Sequence, residues 1–380
     1  MNENLWNEFE NFWDKSEIKI KAEEYQYLYD HPENVKNFSW INKKDKLNEK
    51  SKAIHWGIPN HVLGDIGKAK VIVGLLNPGT HMKSQASEKC DTVGKYIKEE
   101  VKIEQNSSMK VHFDSKEVYQ GDLNDKEKLH TFYYDHILSK ENVISKELKT
   151  LYKMYKADRK NLEYYLENND ANKKDNNESK KVSTYRDFSL VAYYLAKYYS
   201  KVFSGSESKY KIAIKHYLSI FDKINKAKSL GYQSEKEFEK ALYDIKISNI
   251  EFIPYRSFDS NSLKKIENLE SSNLSAKILI KKILDDKETI VILRSIDKWE
   301  TLFKSICDKE GINFKKDVAP SIYVFKGQSG AISENNIAPY KSGNNGNINS
   351  IEKVICEIHD IIRLKDFEAY LDDIIAKYSK

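Results

Sequence analysis

The chain has 380 residues, enough for one large domain with an insertion or for two smaller domains, and enough to bury a core without crosslinks. Its 63 basic and 58 acidic residues leave a formal charge of +5, too even a balance to mark a nucleic-acid binder by charge alone. Cys90, Cys307 and Cys356 lie far apart in no metal or redox spacing, which suits a reducing, cytoplasmic setting, and a soluble chain with no membrane partner is expected because every apolar run falls short of a membrane helix and the first residues lack a secretory core.

In chain order, Leu5, Trp6, Phe9, Phe12 and Trp13 recur at helical spacing, so residues 1–53 read as a helical N-terminal brace, with one helix running from Leu5 to about Tyr29. The first clear strand covers residues 70–76, centred on Val71, Ile72 and Val73. Residues 95–246 then carry almost no strand signal. Helical patterns at 146–166, 185–203, 210–228 and 235–243 make this stretch an all-helical insertion, with a polar, unpatterned segment near 168–183 expected to be a mobile linker. Lysine interleaved with tyrosine in this region suits either phosphate and base contacts or a solvated helical surface over an aromatic core.

Strands return at 247–254, 289–293 and 321–325, separated by helical stretches at 275–284 and 299–309 and followed by two helices from residue 348 onward. Alternating strands and helices predict an α/β domain built from residues 54–94 and 247–380: a mainly parallel four-stranded sheet flanked by helices on both faces, with a large all-helical insertion.

In such a sheet a ligand site lies beyond the carboxyl ends of the strands. Those ends carry Leu76, Asn77, Pro78, Gly79, Thr80 and His81 after the first strand, and Tyr255 and Arg256 after the second. Arg294 follows the third, and Gly327, Gln328, Ser329, Gly330, Ala331, Ile332 and Ser333 follow the fourth.

Two of these segments, in this order, resemble motifs of the uracil-DNA glycosylase superfamily, especially its mismatch-specific thymine/uracil branch. Leu76-Asn77-Pro78-Gly79 looks like the water-positioning motif G-I-N-P-G, and residues 327–333 are similar to the DNA-intercalating loop N-P-S-G-L-S. The resemblance covers the sheet-forming parts of the chain and leaves the helical insertion unaccounted for. It implies a uracil-DNA glycosylase-like fold and a monofunctional DNA glycosylase acting on a base flipped out of double-stranded DNA. Asn77 would align the attacking water, and Gln328, Ser329, Gly330, Ala331 and Ser333 would contact DNA. Gly327 stands where the family has a histidine or asparagine that stabilises the departing base; Gln328 or His81 would have to replace it. The acidic residue of the fast uracil enzymes is also missing, which implies slower turnover.

Tyr255 at a strand end could stack on an extruded base or pack in the core, and Arg256 and Arg294 could bind phosphate or a base substituent or form structural ion pairs. With Leu76, Pro78 and Gly79, Tyr255 and Arg256 form the expected base pocket. No metal-ligand spacing or nucleotide-binding motif occurs in the sequence, so no cofactor is expected. A diverged member of the superfamily would excise a modified base, as some members do to phage DNA in bacterial antiviral defence. The alternative is a non-catalytic nucleic-acid-binding or interaction protein on the same scaffold; a third is an enzyme acting on free nucleosides.

Overall fold

A computed structural model describes residues 2–31, 38–46, 57–79, 90, 95–96, 119–160, 162, 192–203, 209–256, 269–327, 330–340 and 348–378. The strands are β1 (Val62–Leu63), β2 (Val71–Leu75), β3 (Leu138–Ser139), β4 (Ile247–Glu251), β5 (Ile290–Leu293), β6 (Ile322–Phe325) and β7 (Ile337–Pro339). They form a seven-stranded mixed sheet in the order β3-β1-β4-β2-β5-β6-β7.

This corrects the four-stranded, mainly parallel sheet expected from the sequence. The four expected strands are present as a contiguous block, β4-β2-β5-β6, and each is parallel to its neighbour. Three short strands extend that block: β7 runs antiparallel to β6, while β1 runs antiparallel to β4 and parallel to β3. Segments of two or three residues are too short to show an alternating pattern, and pairing onto the otherwise open edges of the parallel block defines them.

Ten helices are used below: α1 (Asn2–Phe12), α2 (Lys15–Asp30), α3 (Lys126–Ile137), α4 (Val143–Ala157), α5 (Lys209–Ser229), α6 (Ser234–Tyr243), α7 (Glu270–Asp285), α8 (Ile296–Glu310), α9 (Ile351–Ile362) and α10 (Lys365–Tyr378). None among the described residues is long and apolar enough to cross a membrane. The single N-terminal helix expected over Leu5 to Tyr29 is two helices. Asp14 interrupts it, because its carboxylate accepts from the Ser16 N–H at 2.8 Å and caps a new start.

Both faces of the sheet are covered. One core joins Ile72, Ile250, Val291 and Ile322 to the apolar sides of α1, α2, α3, α7 and α8. The other joins Val71, Val73, Leu75, Ile247, Ile290 and Ile292 to α4, α5, α6, α9 and α10. Close packing of the first layer explains Gly74 in the middle of β2: a Cβ there would lie 2.4 Å from Leu293 Cδ2 and 3.2 Å from the Trp299 ring.

The stretch expected to be an all-helical insertion is therefore built into the fold. It supplies strand β3, gives α3 to the first face, and through α4, α5 and α6 forms much of the second layer. Within it Leu195–Tyr199 form a π-helix, continued by a 3-10 turn at Ser200–Val202. The linker expected near 168–183 lies outside the described residues.

Candidate functional site

Because β4, β2, β5 and β6 are parallel, their carboxyl ends meet along one rim. At the end of β2 the Asn77 side-chain nitrogen donates to the Pro78 carbonyl at 3.0 Å. The amide oxygen is then the part of that side chain with no protein partner among the described residues. The turn is pinned from β4: Arg256 Nη1 donates to the Gly79 carbonyl at 2.7 Å and Nε to the Ile58 carbonyl at 2.9 Å. Gly57, at φ 73°, makes room for this, since a Cβ there would sit 2.6 Å from Arg256 Cδ. Arg256, expected in the base pocket, serves here as a clamp on the Asn77 turn.

Tyr255 is fully buried on the first face. Its hydroxyl donates to Asp45 at 2.7 Å and accepts from the Asn42 N–H at 2.9 Å, and its ring lies edge-on to Trp13. Of the two readings of this residue, stacking and core packing, its position suits the second. Leu76 and Pro78 flank Asn77, half-buried and buried respectively, and Gly79 is exposed.

At the last strand end Gly330, Ala331 and Ile332 are buried, while Ser333 is half-buried and Lys326 and Gly327 are exposed. Gly330 and Ala331, expected at the DNA interface, are among the buried residues of this segment. A Cβ on Gly330 would fall 2.8 Å from Tyr198 Cε1 and 3.2 Å from Arg294 Nη1, and the Ile332 N–H donates to the Tyr198 carbonyl at 2.7 Å. The loop thus closes against the π-helix, with half-buried Arg294 beside it. His81, Gln328 and Ser329 lie outside the described residues.

Two further polar residues lie within β4, next to the rim. Asn249 and Glu251 stand opposite Val73 and Leu75 of β2 and share their face, the one turned toward the helical layer of α4, α5 and α6. Asn249 is 4% exposed and Glu251 3%. Both amide atoms of Asn249 and Glu251 Oε2 are buried without a hydrogen-bond partner among the described residues. A bare buried polar group costs about 1–3 kcal/mol, so three such atoms on one face call for a ligand or water. The signal was present in the sequence: a strand of a parallel block covered on both faces reads as a continuous apolar run, and Ile247-Ser248-Asn249-Ile250-Glu251 breaks that rule.

Charge around Glu251 comes from both layers. Burial pushes its carboxyl up to about 8, while the Arg256 and Arg294 guanidiniums act against that rise. From the π-helix side, the Tyr194 phenol is raised well above its usual range by burial and the nearby Glu251, and Tyr198 is raised to about 12 by burial, with Arg294 opposing. Glu147 of α4 holds this segment in place, its carboxylate accepting from the Tyr194 N–H at 2.7 Å and the Leu195 N–H at 2.8 Å. Burial lifts Glu147 to about 8 as well, against those two bonds.

A cavity of about 590 Å³ lies at the opposite end of the sheet, bordered by Lys70 and Lys246 ahead of β2 and β4. Its charged groups compensate one another, as in the Lys70–Glu357 pair at 2.8 Å and the Lys365–Asp360 pair at 2.8 Å. We place the candidate site at the carboxyl rim, where three unmatched buried polar atoms share one face of β4 beside the strand that leads to the Asn77 turn. Among the described residues no group of three or more His, Cys, Asp or Glu side chains could hold a metal ion. No protein-family description, curated protein or solved structure matches the chain.

Proposed function

We propose that this chain is a monofunctional DNA glycosylase of the uracil-DNA glycosylase type, hydrolysing the N-glycosidic bond of a flipped, modified base in double-stranded DNA. The observation that carries this reading is the unmatched Asn249 amide on β4, next to the strand that ends in Asn77. A buried donor and acceptor side by side suit the hydrogen-bonding edge of a flipped base. The strands that lead to the Asn77 turn and to residue 327, β2 and β6, are separated only by β5, so the two strands lie roughly 10 Å apart, two strand spacings.

In this reading Asn249 receives the base edge and the Asn77 amide oxygen accepts from a water held below C1′. Orientation carries much of the rate, because the oxocarbenium-like sugar that develops needs no strong nucleophile. Arg294 binds a phosphate or a polar substituent of the base, and exposed Lys326 and Gly327 face the DNA. The lysine-, asparagine- and isoleucine-rich composition suits a low-GC bacterium, and removal of modified bases from phage DNA is the role that we assign.

Duplexes carrying uracil, mismatched thymine or glucosylated hydroxymethylcytosine, scored by strand scission at abasic sites, test this reading. Release of one base by the wild type and its loss in Asn77→Ala are expected. No release from any duplex would sink it, and salt-dependent DNA binding indifferent to Asn77→Ala would favour a non-catalytic binding protein.

A further inference from the structure

We propose that Glu251 is the proton donor to the departing base, an inference that rests on the glycosylase reading above. Glu251 ends the strand that carries Asn249 and lies on the same face, beside the strand that leads to Asn77. Its Oε2 is buried without a partner, so the carboxyl has an open hydrogen-bonding position in the cluster that holds the bare amide. By the resemblance, leaving-base stabilisation falls to Gln328 or His81, because Gly327 has no side chain to supply it.

The surroundings suit a donor in both of its states. The charged and titratable groups facing Glu251 are Arg256 after β4, Arg294 after β5, and Tyr194 and Tyr198 of the π-helical segment, with Glu147 of α4 beyond Tyr194. Burial favours the neutral acid near neutral pH. Once the proton has left, the two guanidiniums offset the new carboxylate charge. In the reaction the C1′–N bond breaks with its electron pair moving to the base, and the Glu251 proton joins the base. The water oxygen bonds to C1′, and a water proton returns through solvent to the carboxylate, so the products are the free base and the abasic sugar.

The test is single-turnover base release from about pH 6 to about pH 10, compared between a base that departs poorly and a ring-fluorinated analogue that departs readily as an anion. We expect the wild-type rate to fall above about pH 8. Glu251→Gln should be about 100-fold slower on the poor leaving group and lose that break, with the deficit shrinking to about tenfold or less on the fluorinated base. Glu251→Asp, which keeps an acid, should retain a break and part of the rate. Asn77→Ala should be slow on both bases without moving the break.

A wild-type profile with no decline at high pH overturns the proposal without reference to any variant. So does a Glu251→Gln deficit equal on the two bases. Normal Glu251→Gln turnover beside a slow Asn77→Ala overturns this inference alone; a wild type inactive on every duplex overturns the glycosylase reading with it.

Discussion

Two polar clusters buried beside β4, one on each face, are matched differently. On the first face His61 is matched on both ring nitrogens: it takes the Trp13 indole N–H at 2.8 Å on Nδ1 and meets Ser275 Oγ at 2.8 Å through Nε2. Ser275 Oγ in turn lies 3.0 Å from the Glu251 carbonyl. Burial depresses the His61 imidazole to about 3, so it stays neutral and works as a fixed polar strut. On the second face Asn249 and Glu251 are equally deep and carry unmatched atoms. Depth alone therefore does not distinguish scaffold from site in this protein.

The largest effect that would break this comparison is a pH dependence. Glu147 and Glu251 both have folded values near 8 against 4.5 for an ordinary glutamate, so each favours the folded state less as pH rises from about 4.5 to about 8. Each can cost up to on the order of 5 kcal/mol over that window. Urea unfolding at a series of pH values should show stability falling through the window, and Glu147→Gln or Glu251→Gln should each flatten part of the slope. A flat profile would mean that neither carboxyl is held neutral.

Next in size is His61→Leu, which strands the Trp13 N–H in the first core, removes one partner of the Ser275 hydroxyl and should cost about 3 kcal/mol in denaturant unfolding. Gly330→Ala follows. Its new methyl would press on the Tyr198 ring, and a loss of about 1–2 kcal/mol with slower base release is expected, measured by thermal unfolding alongside the scission assay. The smallest stability change should carry the opposite sign: Asn249→Leu removes two unmatched atoms and should gain about 1 kcal/mol while abolishing base release. A loss of stability there would assign Asn249 to the scaffold and remove the contrast.

Much of this fold was legible beforehand. The parallel block announced itself through Val71-Ile72-Val73, Ile290-Val291-Ile292-Leu293 and Ile322-Tyr323-Val324, short β-branched runs bounded by turns. The edge strands did not, because pairing rather than composition makes them. The break at Asp14 hid inside an unbroken helical stripe, where one carboxylate settles the matter by capping.

The site was legible in outline only. Strand ends named the rim and the Asn77 turn, yet Tyr255 belongs to the opposite face, since counting past a strand end does not say which way a side chain turns. Asn249 and Glu251 lie within β4 itself, where a search beyond the strand ends could not find them. Tyr194, Tyr198 and Glu147 come from the helical stretch, far ahead of β4 along the chain, and only tertiary packing brings them to the rim.

The contact between Tyr198 and the loop after β6 also bears on how such a protein can diverge. Ile332 is bonded to the Tyr198 carbonyl, and Gly330 is kept small by the Tyr198 ring. A lineage that rewrites the helical stretch to accept a different base must accommodate position 330 in the same step, so the two segments should be inherited as a pair. Grafting either one alone into a relative would bring a mismatched seam, and chimeras exchanging both together should be the ones that survive.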